Sequence, residues 1–279
     1  MRSDQLDRLK AWFADYSRSF LTTGGAAEAP LQLKIEHTHE VCRNIVKLAR
    51  AIDLNADQVA TAEAIGLLHD VGRFEQYQRF RTFSDRQSVN HATLGVRILD
   101  AVGVLEPLGE VEKALIVRAI RFHNALKLPH EPSSGARVFI QLIRDADKLD
   151  IWRVFADYLA QPQRDPTIVQ HLPDNDTWQD AIVSSLIEKR IAKLEDMRSL
   201  NDLKMLQLSW VFDLNFQQSY QLAAEAGHLH AIARMLVRHP RIDHAVTVVM
   251  SHLNQMTVRP APPRPVQPHV PCRFEHGPA

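Results

Sequence analysis

Six potential metal ligands are spread through the first half of the sequence at intervals that each fit one helix and a connection. These imidazoles and carboxylates are His37, His69, Asp70, His91, His123 and Asp147. The separations are 32 residues from His37 to His69, 21 from Asp70 to His91, 32 from His91 to His123 and 24 from His123 to Asp147. Helical bundles build metal sites by letting facing helices deliver ligands to a shared interior. The intervals therefore predict an all-α fold around a common metal centre.

Apolar residues recur at helical spacing along most of the chain. This pattern predicts helices at 4–21, 31–52, 57–69, 91–101, 108–124 and 136–157, with a short helix and a loop within 72–90. Breaks rich in small residues or proline fall at 22–30, 129–135 and 162–173. Three or four further helices are predicted within 177–256. Seven prolines lie within 259–279, and this composition predicts disorder there.

The overall composition excludes several classes of protein. The chain has 33 basic and 33 acidic residues, so bulk binding of nucleic acid or of an anionic membrane is not expected. Its cysteines, Cys42 and Cys272, are too few for a disulfide framework or a thiolate zinc cluster. The amino terminus lacks an apolar signal core, and no stretch approaches the roughly 20 apolar residues of a membrane span. We expect a cytoplasmic protein.

Each candidate ligand taken alone has a structural explanation. His37 fits a hydrogen-bonded core histidine, and His91 fits a helix cap. His69 and Asp70 fit a helix-end pair, although an acid at a helix carboxyl end opposes the helix dipole unless a cation lies nearby. The ordered set of six favours metal binding over these separate explanations.

Two positions have competitors within the same segments. His39 competes with His37, and the four-residue spacing to the apolar Val41 favours His37. Asp145 competes with Asp147, and Asp147 is preferred because it directly precedes Lys148 and Leu149.

The order His, then His-Asp, then His, His and Asp resembles the pattern of the HD-domain metal-dependent phosphohydrolases. The supporting segments are Lys34-Ile35-Glu36-His37-Thr38, Leu67-Leu68-His69-Asp70-Val71-Gly72-Arg73-Phe74 and Asp145-Ala146-Asp147-Lys148-Leu149-Asp150. The resemblance covers roughly residues 31–157. The later segment Leu208-Ser209-Trp210-Val211-Phe212-Asp213 is similar, less specifically, to a bacterial branch of the same family.

The resemblance implies an HD-domain helical bundle with additional carboxy-terminal helices. We expect an amino-terminal helix and linker at 1–30, the HD metal-binding domain at 31–157, a helical extension packed on it at 158–256, and a disordered proline-rich tail at 257–279. The aromatic residues Trp210, Phe212 and Phe216 are predicted to be core. Self-association of the chain stays open.

The resemblance also implies how the ligands are shared. His37, His69, Asp70 and Asp147 would hold one ion, and Asp70 would bridge to a second ion held by His91 and His123. The presence of both His91 and His123 favours two ions over the single ion of simpler members. The expected cofactors are two divalent transition-metal ions such as iron or manganese, because imidazole and carboxylate accept several of these metals.

The activity implied by the resemblance is hydrolysis of a phosphomonoester or phosphodiester, with a nucleotide as the leading substrate. Asp70 and Arg73 are the candidate catalytic residues; Arg73 occupies a position where related phosphodiesterases often carry lysine. The other candidate contacts to substrate phosphates are Arg79, Arg81, Arg86 and Lys148. Tyr77 or Phe83 is a candidate for stacking a base, and Asn124 for orienting an imidazole. For Arg73 the alternative interpretation is a solvated arginine at a helix end. For the segment 76–90 it is a packed loop with a solvated basic edge.

Two other functions are compatible with the same ligands. Some HD-domain proteins with this six-ligand arrangement use a mixed-valent di-iron pair to activate oxygen, and ligand identity does not separate the two classes. A regulatory module that keeps the site without turnover is the third class. The arginine-rich segment favours phosphate chemistry, and the absence of a Gly-Tyr-Pro signature weakens a cyclic dinucleotide as the substrate.

Overall fold

The structure is a computed structural model that describes residues 1–21, 28–126, 128, 134–162, 169 and 172–258. Within these ranges the regular structure is helical and contains no strand, which confirms the predicted all-α fold. The tail at 259–279, for which the sequence predicts disorder, lies outside the described residues. None of the helices in the described ranges combines the length and the apolar character needed to cross a membrane.

In the part of residues 1–160 that the structure describes, seven helices form the amino-terminal part of the bundle. They are α1 (Ser3–Arg18), α2 (Ala29–Ala51), α3 (Ala56–Leu68), α4 (Gly72–Phe80), α5 (His91–Val102), α6 (Glu110–Phe122) and α7 (Ser134–Ala160). Each agrees with a segment predicted from apolar spacing to within a few residues. The connection 81–90, between α4 and α5, is not helical.

The carboxy-terminal part contains more helices than predicted. They are α8 (Asp180–Ile187), α9 (Leu200–Ser209), α10 (Gln217–Ala226), α11 (His228–Arg234) and α12 (Pro240–Val258). Short 3₁₀ turns occur at Leu194–Asp196 and Trp210–Asp213. The prediction of three or four helices is wrong because Gly227, with a φ of 70°, ends α10 directly before α11 begins. A left-handed glycine ends a helix without strain, so two helices fit where the apolar pattern appears continuous.

Asparagine side chains fix the starts of two helices near the candidate ligands. Asn55 accepts a hydrogen bond from the backbone N–H of Gln58 and begins α3. Asn90 accepts one from the backbone N–H of Thr93 and begins α5. Such caps satisfy backbone donors that a helix leaves unpaired. Because Asn90 fills the cap position, His91 is the first residue of α5 and its ring is free for another role.

Among the described residues, one hydrophobic core runs through the bundle. Its largest fully buried side chains include Ile45 of α2, Ile65 and Leu68 of α3, and Ile140 of α7. Each such side chain stabilises the fold by about 1.5–3 kcal/mol. The core continues into the carboxy-terminal helices, where the indole N–H of Trp152 donates to the backbone oxygen of Gln207 at 3.0 Å.

Polar contacts attach the carboxy-terminal segment to α7. The buried carboxylate of Asp145 accepts hydrogen bonds from the backbone and side-chain N–H groups of Asn215, the backbone N–H of Phe216 and the hydroxyl of Ser219. Asp213 accepts from Arg144 at 2.7 Å and from Lys148 at 2.6 Å. The aromatic side chains of Trp210, Phe212 and Phe216 pack against the core.

Candidate metal centre

The six candidate ligands converge on one buried cluster from five helices. His37 lies within α2, His69 and Asp70 directly follow α3, His91 begins α5, His123 directly follows α6 and Asp147 lies within α7. Five of the six residues are at most 4 % exposed, and 18 % of the Asp147 side chain is exposed. The cluster is therefore shielded by the bundle and reaches solvent beside Asp147.

The carboxylate of Asp70 divides the cluster into two halves. Its Oδ2 lies 3.8 Å from Nε2 of His37 and 3.7 Å from Nε2 of His69. Its Oδ1 lies 3.3 Å from Nε2 of His91 and 3.9 Å from Nε2 of His123. Asp147 lies on the Oδ2 side, with its Oδ1 3.1 Å from Nε2 of His37. We call His37, His69 and Asp147 the first half-site and His91 and His123 the second, with Asp70 common to both.

Every histidine of the cluster has an acceptor on its Nδ1 atom. The partners are Asp150 for His37 at 2.7 Å, the Gly66 carbonyl for His69 at 2.7 Å, Asp85 for His91 at 2.8 Å, and the Ile120 carbonyl for His123 at 2.7 Å. Carbonyl and carboxylate oxygens accept hydrogen bonds and have no proton to donate, so the proton of each of these bonds is on Nδ1. In the neutral rings the lone pairs are on Nε2, which is the atom that each ring directs into the cluster.

The Nε2 atoms have the environment expected of metal ligands. Those of His37 and His69 are buried and make no hydrogen bond within the described part of the chain. Those of His91 and His123 are 3.0 Å apart. If both rings are neutral and carry their proton on Nδ1, the lone pairs of the two Nε2 atoms face each other and repel. A cation bound by both nitrogens removes this repulsion. An ion bonded to each nitrogen at about 2.1 Å is compatible with this spacing. The donor set therefore fits transition-metal ions.

Two cations compensate the buried carboxylate of Asp70. Nζ of Lys34 lies 2.8 Å from its Oδ2, and Nε of Arg73 lies 3.5 Å from its Oδ1. Burial opposes ionisation, but Lys34, the neighbouring histidines and Arg73 hold the pKa of Asp70 well below 3.8. These are the charges that an acid at the end of a helix requires.

The histidine pKa values of His37 and of the second half-site are shifted in opposite directions. Burial and the neighbouring His91 and His69 lower the pKa of His123 to about 3. Burial and Arg73 also lower the pKa of His91. Burial and Lys34 oppose protonation of His37, but the nearby carboxylates of Asp147 and Asp150 raise its pKa. Neutral imidazoles and ionised carboxylates are the forms that bind metal, and the second half-site already has them near neutral pH.

Arg73 contacts the edge of the cluster through a network of its own. Its Nη1 donates to Asp85 at 3.0 Å, to Gln76 at 2.9 Å and to the backbone oxygen of Phe83. Asn124 donates to Asp85 at 3.2 Å. Both residues therefore approach the second half-site through Asp85, the acceptor of His91.

The other predicted phosphate contacts lie elsewhere. Arg79 pairs with Glu75 at 2.8 Å on the exposed face of α4, and Arg86 is exposed. Arg81 ends α4 with a φ of 53° and lies over the ring of Tyr77. Lys148 pairs with Asp213. In the described ranges, no hydrogen bond or ion pair joins Arg79, Arg81 or Lys148 to the six candidate ligands.

The geometry also separates the competing ligands. His39 is exposed, with its ring edge against Phe13 at a centroid distance of 6.1 Å, whereas His37 faces the cluster. Asp145 faces the start of α10, whereas Asp147 faces His37 and His69.

Sequence reasoning missed three residues of the site, Lys34, Asp85 and Asp150. Asp150 follows Asp147 by three residues, and that helical spacing is a signal that places both on one side of α7. Lys34 precedes His37 by three residues and carries the same signal. Asp85 lies in the non-helical connection 81–90, where no periodicity indicates the direction of a side chain.

Comparison with known proteins identifies the domain. The model of the HD-domain family matches residues 35–152, a range that runs from α2 into α7 and contains all six candidate ligands. No curated protein and no solved structure gives a significant match to the chain. HD domains belong to a family composed mostly of metal-dependent phosphohydrolases. The chain therefore contains an HD domain at residues 35–152.

Proposed function

We propose that this protein is a binuclear metal-dependent phosphohydrolase that acts on a small phosphorylated molecule, with a nucleotide as the leading candidate. The observation that carries the proposal is the position of Asp70, whose two carboxylate oxygens face different pairs of histidines. One carboxylate between two sets of nitrogen donors is the arrangement that a bridging ligand requires.

The residues divide into two sets of ligands. The first half-site would hold one ion with Oδ2 of Asp70, and the second half-site would hold another with Oδ1. When bound, such ions lower the pKa of water to about 7 and neutralise charge on phosphate oxygens. The hydrogen bonds on the Nδ1 atoms keep all four rings aimed at the cluster, so the chain holds its ligands in place before any ion arrives.

Residues beside the cluster support phosphate as the group that is bound. Lys34 and Arg73 add two positive charges next to Asp70, and their side chains are 18 % and 16 % exposed. A cation that is partly exposed at the edge of a buried cluster can contact the phosphate of a substrate that approaches from solvent. The ammonium group of Lys34 contacts Asp70 and is therefore directed towards the place where the ions would lie.

An aromatic surface next to Lys34 supports a nucleotide. The rings of Tyr77 and Phe83 stack with centroids 4.9 Å apart and an interplanar angle of 27°. Nζ of Lys34 lies 5.5 Å from the centre of the Phe83 ring. Phe83 is partly exposed, so it offers a face on which a base can stack while Lys34 contacts the phosphate.

The test compares metal-loaded proteins on simple esters. Metal-free protein is loaded with Mn²⁺ or Fe²⁺ and assayed on p-nitrophenyl phosphate, bis-p-nitrophenyl phosphate and nucleoside monophosphates. We expect hydrolysis by wild type, loss of activity in Asp70→Ala with an unchanged circular dichroism spectrum, and retained activity in Asp100→Asn. Asp100 is an exposed carboxylate on α5, the helix that begins with His91, so it is a matched control.

Other results would support other functions. Iron-dependent oxygen consumption with an organic substrate, and no phosphate release, would replace the proposal by a di-iron oxygenase. Binding of nucleotides without turnover, under each metal, would replace it by a regulatory module.

A further inference from the structure

The two half-sites hold their histidines in matching ways. In each half-site, one histidine donates its Nδ1 proton to the carbonyl three residues earlier, as His69 and His123 do. The other histidine donates to a carboxylate that is paired with an arginine. These trios are His37 with Asp150 and Arg153, and His91 with Asp85 and Arg73.

The two carboxylates differ in the part of the chain that carries them. Asp150 lies within α7, and 2 % of its side chain is exposed. Asp85 lies in the connection 81–90, and 27 % of its side chain is exposed. A non-helical, solvent-facing segment opens at a lower free-energy cost than the interior of a packed helix. The support of His91 is therefore weaker than that of His37.

Side chains of α4 and of the residue Asn124 hold Asp85 in place. Its carboxylate accepts hydrogen bonds from Arg73 and Gln76 of α4 and from Asn124, which follows α6. The fully buried Gln76 also donates to the hydroxyl of Ser88 and to the backbone oxygen of Val89. The same amide that positions Asp85 thus fixes the connection just before His91.

We propose that Asp85 is the positioning residue for the second ion, and that connection 81–90 makes this ion the more weakly held of the two. The inference rests on the proposed two-ion site. A carboxylate on Nδ1 fixes the ring and increases the basicity of Nε2, and its loss typically costs about 10–100-fold in metal affinity. Asp85 supplies this effect to His91, and Asp150 supplies it to His37.

The experiment measures binding of Mn²⁺ alone to the full-length protein. Isothermal calorimetry gives the stepwise affinities, and electron paramagnetic resonance separates single ions from spin-coupled pairs. We expect wild type to bind two ions with the second weaker. Asp85→Asn should weaken the second ion by about 10–100-fold and leave the first unchanged. Asp150→Asn, the matched variant of the other half-site, should weaken the first ion instead.

Defined outcomes overturn the inference. Unchanged affinities in Asp85→Asn, or equal weakening of both ions, would remove Asp85 from this role. If Asp85→Asn does not fold, Asn124→Ala replaces it, because Asn124→Ala removes one donor to Asp85 and keeps the carboxylate. Asn124→Ala should weaken binding of the second ion alone. Unchanged binding of the second ion in Asn124→Ala would overturn the inference. A wild type that binds one ion contradicts the inference whatever its activity. Two ions without ester hydrolysis would contradict the proposed reaction and leave the inference standing.

Discussion

The backbone of Gly72 lies directly against the backbone oxygen of His91. A Cβ added at Gly72 would lie 2.2 Å from this oxygen and 2.7 Å from the backbone nitrogen of Gly95. Helices α4 and α5 therefore meet backbone to backbone at the second half-site. Since Gly72 follows Asp70 by two residues, this contact sets the distance between the shared carboxylate and His91.

Replacing Gly72 by alanine should disturb both stability and metal binding. The added methyl group must push α5 away, and overpacking of this kind costs about 1–3 kcal/mol. Because His91 begins α5, we also expect weaker binding of the second ion. Urea denaturation and Mn²⁺ titration measure the two effects.

Gly109→Ala is the control for Gly72→Ala. Gly109 has a φ of −66° and has no described atom within 4 Å of an added Cβ. The substitution should therefore lower the free energy of unfolding by no more than about 1 kcal/mol and leave ion binding unchanged. Equal behaviour of the two variants would show that α4 and α5 can separate freely.

The contact between Arg73 and Asp85 predicts energetic coupling between them. Nη1 of Arg73 is occupied by Asp85, Gln76 and Phe83, so Arg73→Ala should weaken the second ion as well as slow turnover. The double variant with Asp85→Asn should be non-additive by about 0.5–3 kcal/mol in second-ion affinity. Arg73→Ala combined with Asp150→Asn, whose carboxylate belongs to the other half-site, should be additive. Additive effects for Arg73 and Asp85 would return Arg73 to a role in substrate contact alone.

Asp145 and Asp147 should give opposite phenotypes despite lying two residues apart. Asp145→Ala leaves the buried hydroxyl of Ser219 and the backbone N–H groups of Asn215 and Phe216 without their acceptor, which should cost about 2 kcal/mol or more of stability. Asp147→Ala should weaken the first ion and leave the stability of the metal-free protein closer to wild type. Denaturation of metal-free protein and Mn²⁺ calorimetry separate the two effects; a reversed result would exchange the assigned roles.

The ion pairs of Asp213 predict how the stability of the folded protein depends on pH. Burial opposes its ionisation, but Lys148 and Arg144 hold its pKa below the ordinary 3.8. A carboxyl group with a lowered pKa stabilises the folded state above its unfolded pKa and loses this contribution as the pH falls through the folded value. Asp213→Asn should therefore be less stable than wild type by a constant amount above about pH 5, with the difference shrinking below pH 3.8. A difference independent of pH would contradict this assignment.

The candidate ligands could be found from sequence because each depends on local information. A helix is encoded by its own apolar spacing, and His69 and Asp70 stand at the end of such a pattern. The intervals between ligand-type residues then restrict how the helices can assemble. The family match at 35–152 covers the same part of the chain.

The surroundings of the ligands depend on contacts that spacing does not encode. Asp85 reaches His91 from a segment without periodicity. Arg79 and Lys148 are basic residues near the motifs, but Glu75 and Asp213 bind them away from the cluster. A cluster of positive charge in the sequence indicates how many cations are present, and only the packed structure shows which ones already have a carboxylate partner.

Helix α7 carries two sets of side chains with different destinations. Asp147 and Asp150 point to the first half-site, while Asp145 and Lys148 bind the segment between α9 and α10 and the first turn of α10. Each residue turns a helix by about 100°, so a rotation of α7 that moved Asp147 would also pull Asp145 away from Asn215 and Ser219. The contacts with the carboxy-terminal helices thus restrict rotation of α7 about its axis and so help to fix the direction of Asp147. Insertion of a single residue at Ala146 would rotate Asp145 and Asp147 relative to each other by about 100°, so that both could no longer keep their partners.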